Sequence, residues 1–201
     1  SATVEGWPSD ASVVDVHLAA GSVPLDRTLT FANFVTGTSN QTAFRVAQAV
    51  ASGTDRHTHP LFVFGPTGLG KTHILQATLW RILEREPAKR VLYLTAEAFL
   101  QRFLSSLKAR DTQAFKDFVR NVDVLACDDV QFLSGKAATI EEFFHTFDDL
   151  VSRGKQIVLS ADRSPSLLEN VPDRLRSRLM NGGGVEIMPA DLDMRLATLQ
   201  A

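Results

Sequence analysis

Cysteine is almost missing from this sequence: Cys127 is the one thiol in 201 residues. A disulfide within the chain is therefore excluded, and the composition fits a reducing cytoplasm. Cys127 sits inside an apolar run and reads as a small core residue. Long hydrophobic runs are also missing. None approaches the roughly 18 residues that a membrane-spanning helix needs. The first residues hold Pro8, Asp10 and Asp15 where a secretory signal has a basic start and an apolar stretch, so they do not read as one. Neither sign of charge is in excess. Lysine and arginine number 21 against 23 acidic residues, a net charge of −2, so nothing in the total demands a nucleic-acid partner and only local patches could bind one. No internal repeat is visible.

What remains is 44% hydrophobic, enough for one large domain or one domain with an appendage. Gly6, Pro8, Gly21 and Pro24 interrupt the first residues, so 1–24 reads as an arm or linker and 25–201 as the folded core.

Residues 65–72, Gly-Pro-Thr-Gly-Leu-Gly-Lys-Thr, fit the phosphate-loop pattern G-x-x-x-x-G-K-[ST]. The pattern means little unless a buried strand precedes it and a helix follows. Leu61-Phe62-Val63-Phe64 is the expected short apolar strand, and Leu75, Leu79, Ile82 and Leu83 recur at helical spacing. Gly65, Gly68 and Gly70 let the backbone curl close to a phosphate, because no Cβ intervenes. The N–H groups of Thr67, Leu69 and their neighbours, with the helix N-terminus, then form an anion cradle. Lys71 would neutralise the β- and γ-phosphates, and the Thr72 hydroxyl would be a Mg²⁺ ligand. The bland alternative, a glycine-rich turn that binds nothing, leaves Lys71, Thr72 and the flanking elements unexplained.

A second site lies at 122–129, where an apolar strand ends in Asp128-Asp129, as in a Walker B element. Ligands sit at such strand ends in parallel sheets. Asp128 would hold Mg²⁺ through water, and Asp129 would orient or deprotonate the attacking water. Asp162 again follows a strand, 156–160, and could face the γ-phosphate. Arg174 and Arg178 share a helix face beside Leu175 and Leu179. A solvated basic face competes with an arginine presented to phosphate.

Elsewhere Ser39 is expected to cap a helix over 40–53, and Thr95 one burying Phe99, Leu100, Phe103, Leu104 and Leu107. Asp111 should cap another helix, and Thr139 with Glu142 a phenylalanine-striped one through a capping box. His57 and His59 read as solvated loop residues, and His145 as a surface or supporting group. A fifth strand is expected at 185–188. A last helix should start at Asp191 with Leu192, Leu196 and Leu199, and Ala201 falls inside it, as in a piece cut from a longer chain.

Together these segments resemble the AAA+ ATPase domain of the bacterial chromosomal replication initiator DnaA. The resemblance runs from about Pro24 to the end. It is carried by 30–43 (TFANFVTGTSNQTA), 65–73 (GPTGLGKTH), 120–136 (RNVDVLACDDVQFLSGK), 141–147 (EEFFHTF), 155–165 (KQIVLSADRSP) and 173–179 (DRLRSRL). It implies an α/β, three-layer P-loop NTPase fold, with a five-stranded parallel sheet in the AAA+ strand order. It implies ATP or ADP with Mg²⁺ in a cradle of Gly65, Thr67, Gly68, Leu69, Gly70, Lys71, Thr72 and His73. Val35 and Asn40 would lie where the family holds adenine and ribose. Asp162 would be the sensor 1 residue and Arg178 the arginine finger aimed at a neighbouring subunit's ATP, with Arg174 and Lys136 as accessory groups. The helices over 95–120 would match the insertion that helps build a helical filament on origin DNA.

Implied partners are further copies of the chain, origin DNA, the replicative helicase, regulatory proteins and acidic phospholipids. The sequence departs from the family in one loop: Ala138 fills the position of an arginine that touches single-stranded DNA, and Leu104 the companion apolar position. The helical lid with its sensor 2 arginine, and the duplex-reading domain, would lie beyond Ala201. A helicase loader or a regulatory initiator paralogue is the alternative within the superfamily. A GTPase is disfavoured, since no Asn/Thr-Lys-x-Asp signature occurs, and the paired aspartates suit water activation better than a small-molecule kinase.

Overall fold

A computed structural model describes residues 18–55, 58–169 and 171–189. His57, the proposed helix at 191–199 and most of the expected arm lie outside them. Helix α1 spans Gln41–Ala51, strand β1 Leu61–Phe64 and helix α2 Lys71–Arg85. Strand β2 covers Val91–Thr95, followed by α3 (Ala96–Ala109) and α4 (Thr112–Arg120). Then come β3 (Val124–Asp128), α5 (Ala137–Ser152), β4 (Gln156–Ala161), α6 (Asp173–Asn181) and β5 (Gly183–Glu186). The five strands form one parallel sheet in the order β2-β3-β4-β1-β5.

Alternation along the strands divides the core in two. Leu61, Val63, Val91, Tyr93, Val124, Ala126 and Val158 pack with α1 and α2. Phe62, Leu92, Leu94, Leu125, Cys127, Ile157 and Leu159 pack with α3 to α6. Both faces of a parallel sheet need cover, which is why its strands read as continuous apolar runs. Phe99 anchors the second layer, edge-on to Phe115 at 5.2 Å and to Phe143 at 5.3 Å.

Several local expectations change. Residues 18–23, expected as linker, run along the free edge of β2: Leu18 bridges Val91, and the N–H of Val23 donates to Tyr93 O at 2.8 Å. Helix α1 is preceded by Asn40 rather than Ser39. Thr95 and Asp111 cap as expected, accepting from Ala98 N and Ala114 N. The Thr139–Glu142 capping box does not form, because α5 already begins at Ala137. Glu142 instead bridges helices, accepting from Arg120 Nη2 at 2.7 Å. Leu104 and Leu107 are 44% and 45% exposed, so α3 buries only part of its apolar stripe. The fifth strand lies at Gly183–Glu186, two residues earlier than expected. His59 is half-buried rather than solvated, its imidazole held below its usual pKa by burial and by the Arg178 cation. His145 is a surface residue, 3.7 Å from Glu141.

Candidate functional site

The strand order sets β3, β4 and β1 side by side, so their carboxyl ends meet. At the end of β1 the chain turns through Gly65 (φ 149°), Gly68 (φ 83°) and Gly70 (φ 88°). At Gly65 a side chain is excluded outright, since a Cβ would stand 2.2 Å from Ile187 O. Around Gly68 nothing lies within 4 Å of such a Cβ, which leaves the backbone open to a ligand. Helix α2 then starts at Lys71, so its free N–H groups face the curl.

Lys71 is 6% exposed, and among the described residues its ammonium donates one hydrogen bond, to Pro66 O at 3.0 Å. A buried ammonium with three donors and one carbonyl acceptor favours an anion beside it. Next to it the Thr72 hydroxyl donates to Asp128 Oδ2 at 2.8 Å. Ser160, at the tip of β4, donates to Asp128 Oδ1, and its oxygen accepts from the N–H of Asp129 at 2.9 Å. Asp128 is 3% exposed and both its oxygens are held. Asp129 takes a left-handed φ of 57°, which turns its carboxylate out of the strand line. There Oδ1 accepts from Gln131 Nε2 at 3.0 Å, and Gln131 Oε1 accepts from Asp162 N at 3.1 Å. Gln131 thus ties the tips of β3 and β4 together. The Asp162 carboxyl lies below the usual carboxylate range, chiefly because Arg163 hydrogen-bonds to it, with the Lys71 charge adding.

The segment ahead of α1 closes one side of the cradle. His73 Nε2 lies 2.7 Å from Thr30 O, and the Phe34 ring stands edge-on to His73 at 5.0 Å. Phe34 also approaches Gly70, whose Cβ would stand 2.9 Å from its ring. Asn40 is buried and holds the loop in shape, accepting from Gly37 N at 2.9 Å and donating to Val35 O at 3.0 Å.

Thr72 and Asp128 offer a paired hydroxyl and carboxylate, hard oxygen donors that fit Mg²⁺ and not a soft metal. Among the described residues no three His, Cys, Asp or Glu side chains gather into a metal cage. Mg²⁺ does not need one, since it is usually held by one or two protein oxygens together with substrate phosphates. A cavity of 710 Å³ lies at the other edge of the sheet, lined by Arg85, Lys89 and Lys155. Those cations already face Glu86 and Asp123, so the cavity has no comparable call on a phosphate.

Comparison with known proteins decides the family. The bacterial DnaA ATPase domain family matches residues 25–186. The chain belongs to this DnaA family. The chromosomal replication initiator protein DnaA of Cereibacter sphaeroides is 48% identical over 177 residues, 88% of this chain and 39% of the relative. The chain thus spans about two fifths of that relative's length. Domain III of the Thermotoga maritima replication initiation protein DnaA superposes with a TM-score of 0.85 at 41% identity, over 89% of this chain and 74% of that one. A replication initiator DnaA bound to AMPPCP and single-stranded DNA gives 0.79 at 39% identity, over 88% and 54%. The DnaC helicase loader, at 17% identity and a TM-score of 0.67, shares the fold alone.

In this DnaA-family chain, three of the residues singled out lie apart from the cradle. Arg178 shares a cavity with His59 and Pro60, just ahead of β1, at the amino end of the strands, opposite the phosphate loop. Its guanidinium is 3.3 Å from Asp148, and Arg174 is 3.7 Å from the same carboxylate. Lys136 lies exposed past β3, donating to Phe132 O at 2.7 Å. Reading the sequence alone misses Phe34, Tyr93 and Ser160, because each reaches the site from another element, and Gln131, whose partner Asp162 lies on the next strand. Only Ser160, two residues before Asp162 at a strand tip, carried a local signal.

Proposed function

We propose that this chain is the ATP-binding and hydrolysing core of a replication initiator, a switch that assembles on origin DNA with ATP and resets by slow hydrolysis. The observation that carries the reading is the cluster at the three strand tips: buried Lys71 at the mouth of the glycine curl, with Thr72, Asp128 and Ser160 locked together beside it. Residues 25–201 would serve as core and 1–24 as an arm whose last residues, 18–23, lie against the edge of β2.

In this reading the backbone of 65–70 and Lys71 bind the β- and γ-phosphates of ATP. Thr72 and Asp128 would hold Mg²⁺, which would supply charge neutralisation at the phosphate oxygens. Asp129, oriented by Gln131, accepts a hydrogen bond from the attacking water, and Asp162 orients that water from β4. His73, Val35 and Asn40 shape the wall on which the nucleoside rests. Arg178 stands at the amino end of its own strands, away from its own cradle, so it serves the γ-phosphate of a neighbouring copy, with Arg174 beside it. Lys136 could offer one cation to a single strand, but Ala138 supplies no second. Cytoplasmic location, the replicative helicase, regulatory proteins and acidic phospholipids belong to the whole initiator. The 17% likeness to a loader gives no observation favouring that alternative.

The intact protein is expected to open an origin-containing plasmid with ATP and not with ADP, read by permanganate attack on unpaired thymines. Equal opening with either nucleotide would reject the switch.

A further inference from the structure

Tyr93 is a buried phenol in an otherwise apolar layer. It lies mid-strand in β2, facing α2, with 3% of its surface exposed. A phenylalanine would pack there without the desolvation that a hydroxyl brings, so the hydroxyl calls for an explanation of its own. Its partners supply one. The phenol donates to Asp128 Oδ2 at 3.3 Å and accepts from Gln76 Nε2 at 3.3 Å. Gln76, itself 6% exposed, is fixed in turn, since its Oε1 accepts from Asp26 N at 2.7 Å. The backbone of Tyr93 is clamped by the same N-terminal segment: its N–H donates to Ser22 Oγ at 2.9 Å, and its carbonyl accepts from Val23 N at 2.8 Å.

We propose that Tyr93 is a positioning residue for the metal end of the site, holding Asp128 in place, and that Gln76 holds Tyr93. The proposal rests on the nucleotide reading above. Its logic lies in the count of donors. Asp128 Oδ2 receives Thr72 and Tyr93, and Oδ1 receives Ser160. A cation on the Thr72 hydroxyl would take a lone pair of its oxygen and leave the O–H directed at Oδ2. Tyr93 is the donor to Oδ2 that comes from a neighbouring strand and not from the helix after the phosphate loop, and it keeps the carboxylate from swinging. Outer partners of this kind set metal affinity without touching the metal. The path from the chain before residue 27 to Asp128 is continuous: Asp26, Gln76, Tyr93, Asp128. A shift of that segment would therefore be felt at the metal.

The test uses the full chain and a fluorescent ATP analogue, titrated at a series of Mg²⁺ concentrations and again in EDTA. Tyr93→Phe is expected to raise the Mg²⁺ concentration for half-maximal tight binding about tenfold. Its affinity in EDTA should match wild type, and Mn²⁺ binding followed by electron paramagnetic resonance should weaken in step. Gln76→Met, which leaves the phenol in place, is expected to shift the Mg²⁺ dependence in the same direction by a smaller factor. Added to Tyr93→Phe it should contribute almost nothing further. An unchanged Mg²⁺ dependence in Tyr93→Phe overturns the proposal. So does an equal loss with and without metal, which would mark a packing role. Wild type that binds no nucleotide at all overturns the nucleotide reading and takes the proposal with it. Wild type that is Mg²⁺-dependent while both variants match it refutes Tyr93 alone.

Discussion

Lys71→Ala is expected to weaken ATP binding by about 100-fold or more while the fold survives. Lys71 is 6% exposed, and among the described residues its ammonium donates to a single carbonyl, Pro66 O at 3.0 Å. Hydrogen bonds to charged groups contribute about 1.5–3 kcal/mol each, and an ammonium reaching two phosphates makes at least two. Their loss amounts to about 3–6 kcal/mol, or about 10²–10⁴ in affinity. The protein without ligand should not suffer equally. Lys71 sits on the first turn of α2, where alanine is a good helix former, and the variant sheds a cation that is costly to bury. Equilibrium titration and thermal melting measured on the same preparation separate the two effects. Unchanged ATP affinity would refute the site. A lost fold would show that Lys71 is structural.

Arg178→Ala is expected to have the second largest effect, and on a different quantity. Nucleotide affinity of the single chain should stay within about twofold of wild type, because residues at the amino end of the strands cannot enter its cradle. In the full-length protein, ATP-dependent assembly should disappear. Hydrolysis within any remaining assembly should fall by about 10³, the usual worth of an arginine supplied in trans. In the single chain Asp148 occupies this guanidinium at 3.3 Å and Arg174 at 3.7 Å. The three side chains form a partly exposed cluster, so little stability depends on it. A neighbour's triphosphate, carrying more charge, can draw Arg178 away. Sedimentation of the variant with ATP reads assembly directly. Assembly equal to wild type would show that Arg178 does not act across a subunit boundary.

The parts of the site legible from sequence are those whose chemistry is local. Gly65 to Thr72 announce themselves because a phosphate cradle needs glycines, a lysine and a hydroxyl within one turn of chain. Asp128 is legible because a buried strand cannot end on a carboxylate without a partner. Tyr93, Ser160 and Gln131 were not legible. Tyr93 and Ser160 are brought to Asp128 and Asp129 by the lateral order of strands, which no spacing along the chain encodes, whereas Gln131 lies two residues past Asp129 and its role shows only once β4 brings Asp162 beside it. Apolar periodicity likewise located α3 but placed Leu104 and Leu107 inside. Periodicity finds a stripe, whereas burial depends on how much of that stripe the neighbouring α4 covers. Glu142 was misread for a similar reason: its spacing from Thr139 suits a cap, but Arg120, 22 residues away, claims its carboxylate.

The central claim is that a curled backbone and one ammonium hold a triphosphate whose metal is gripped from the neighbouring strand tips. A crystal structure of the chain with a non-hydrolysable ATP analogue and Mg²⁺ tests it most directly. The expected result has the β- and γ-phosphates against the N–H groups of 67–71, Lys71 Nζ within hydrogen-bonding distance of the γ-phosphate, and the metal on Thr72 Oγ1. Phosphates bound elsewhere, or a metal on groups other than Thr72 and Asp128, would contradict it.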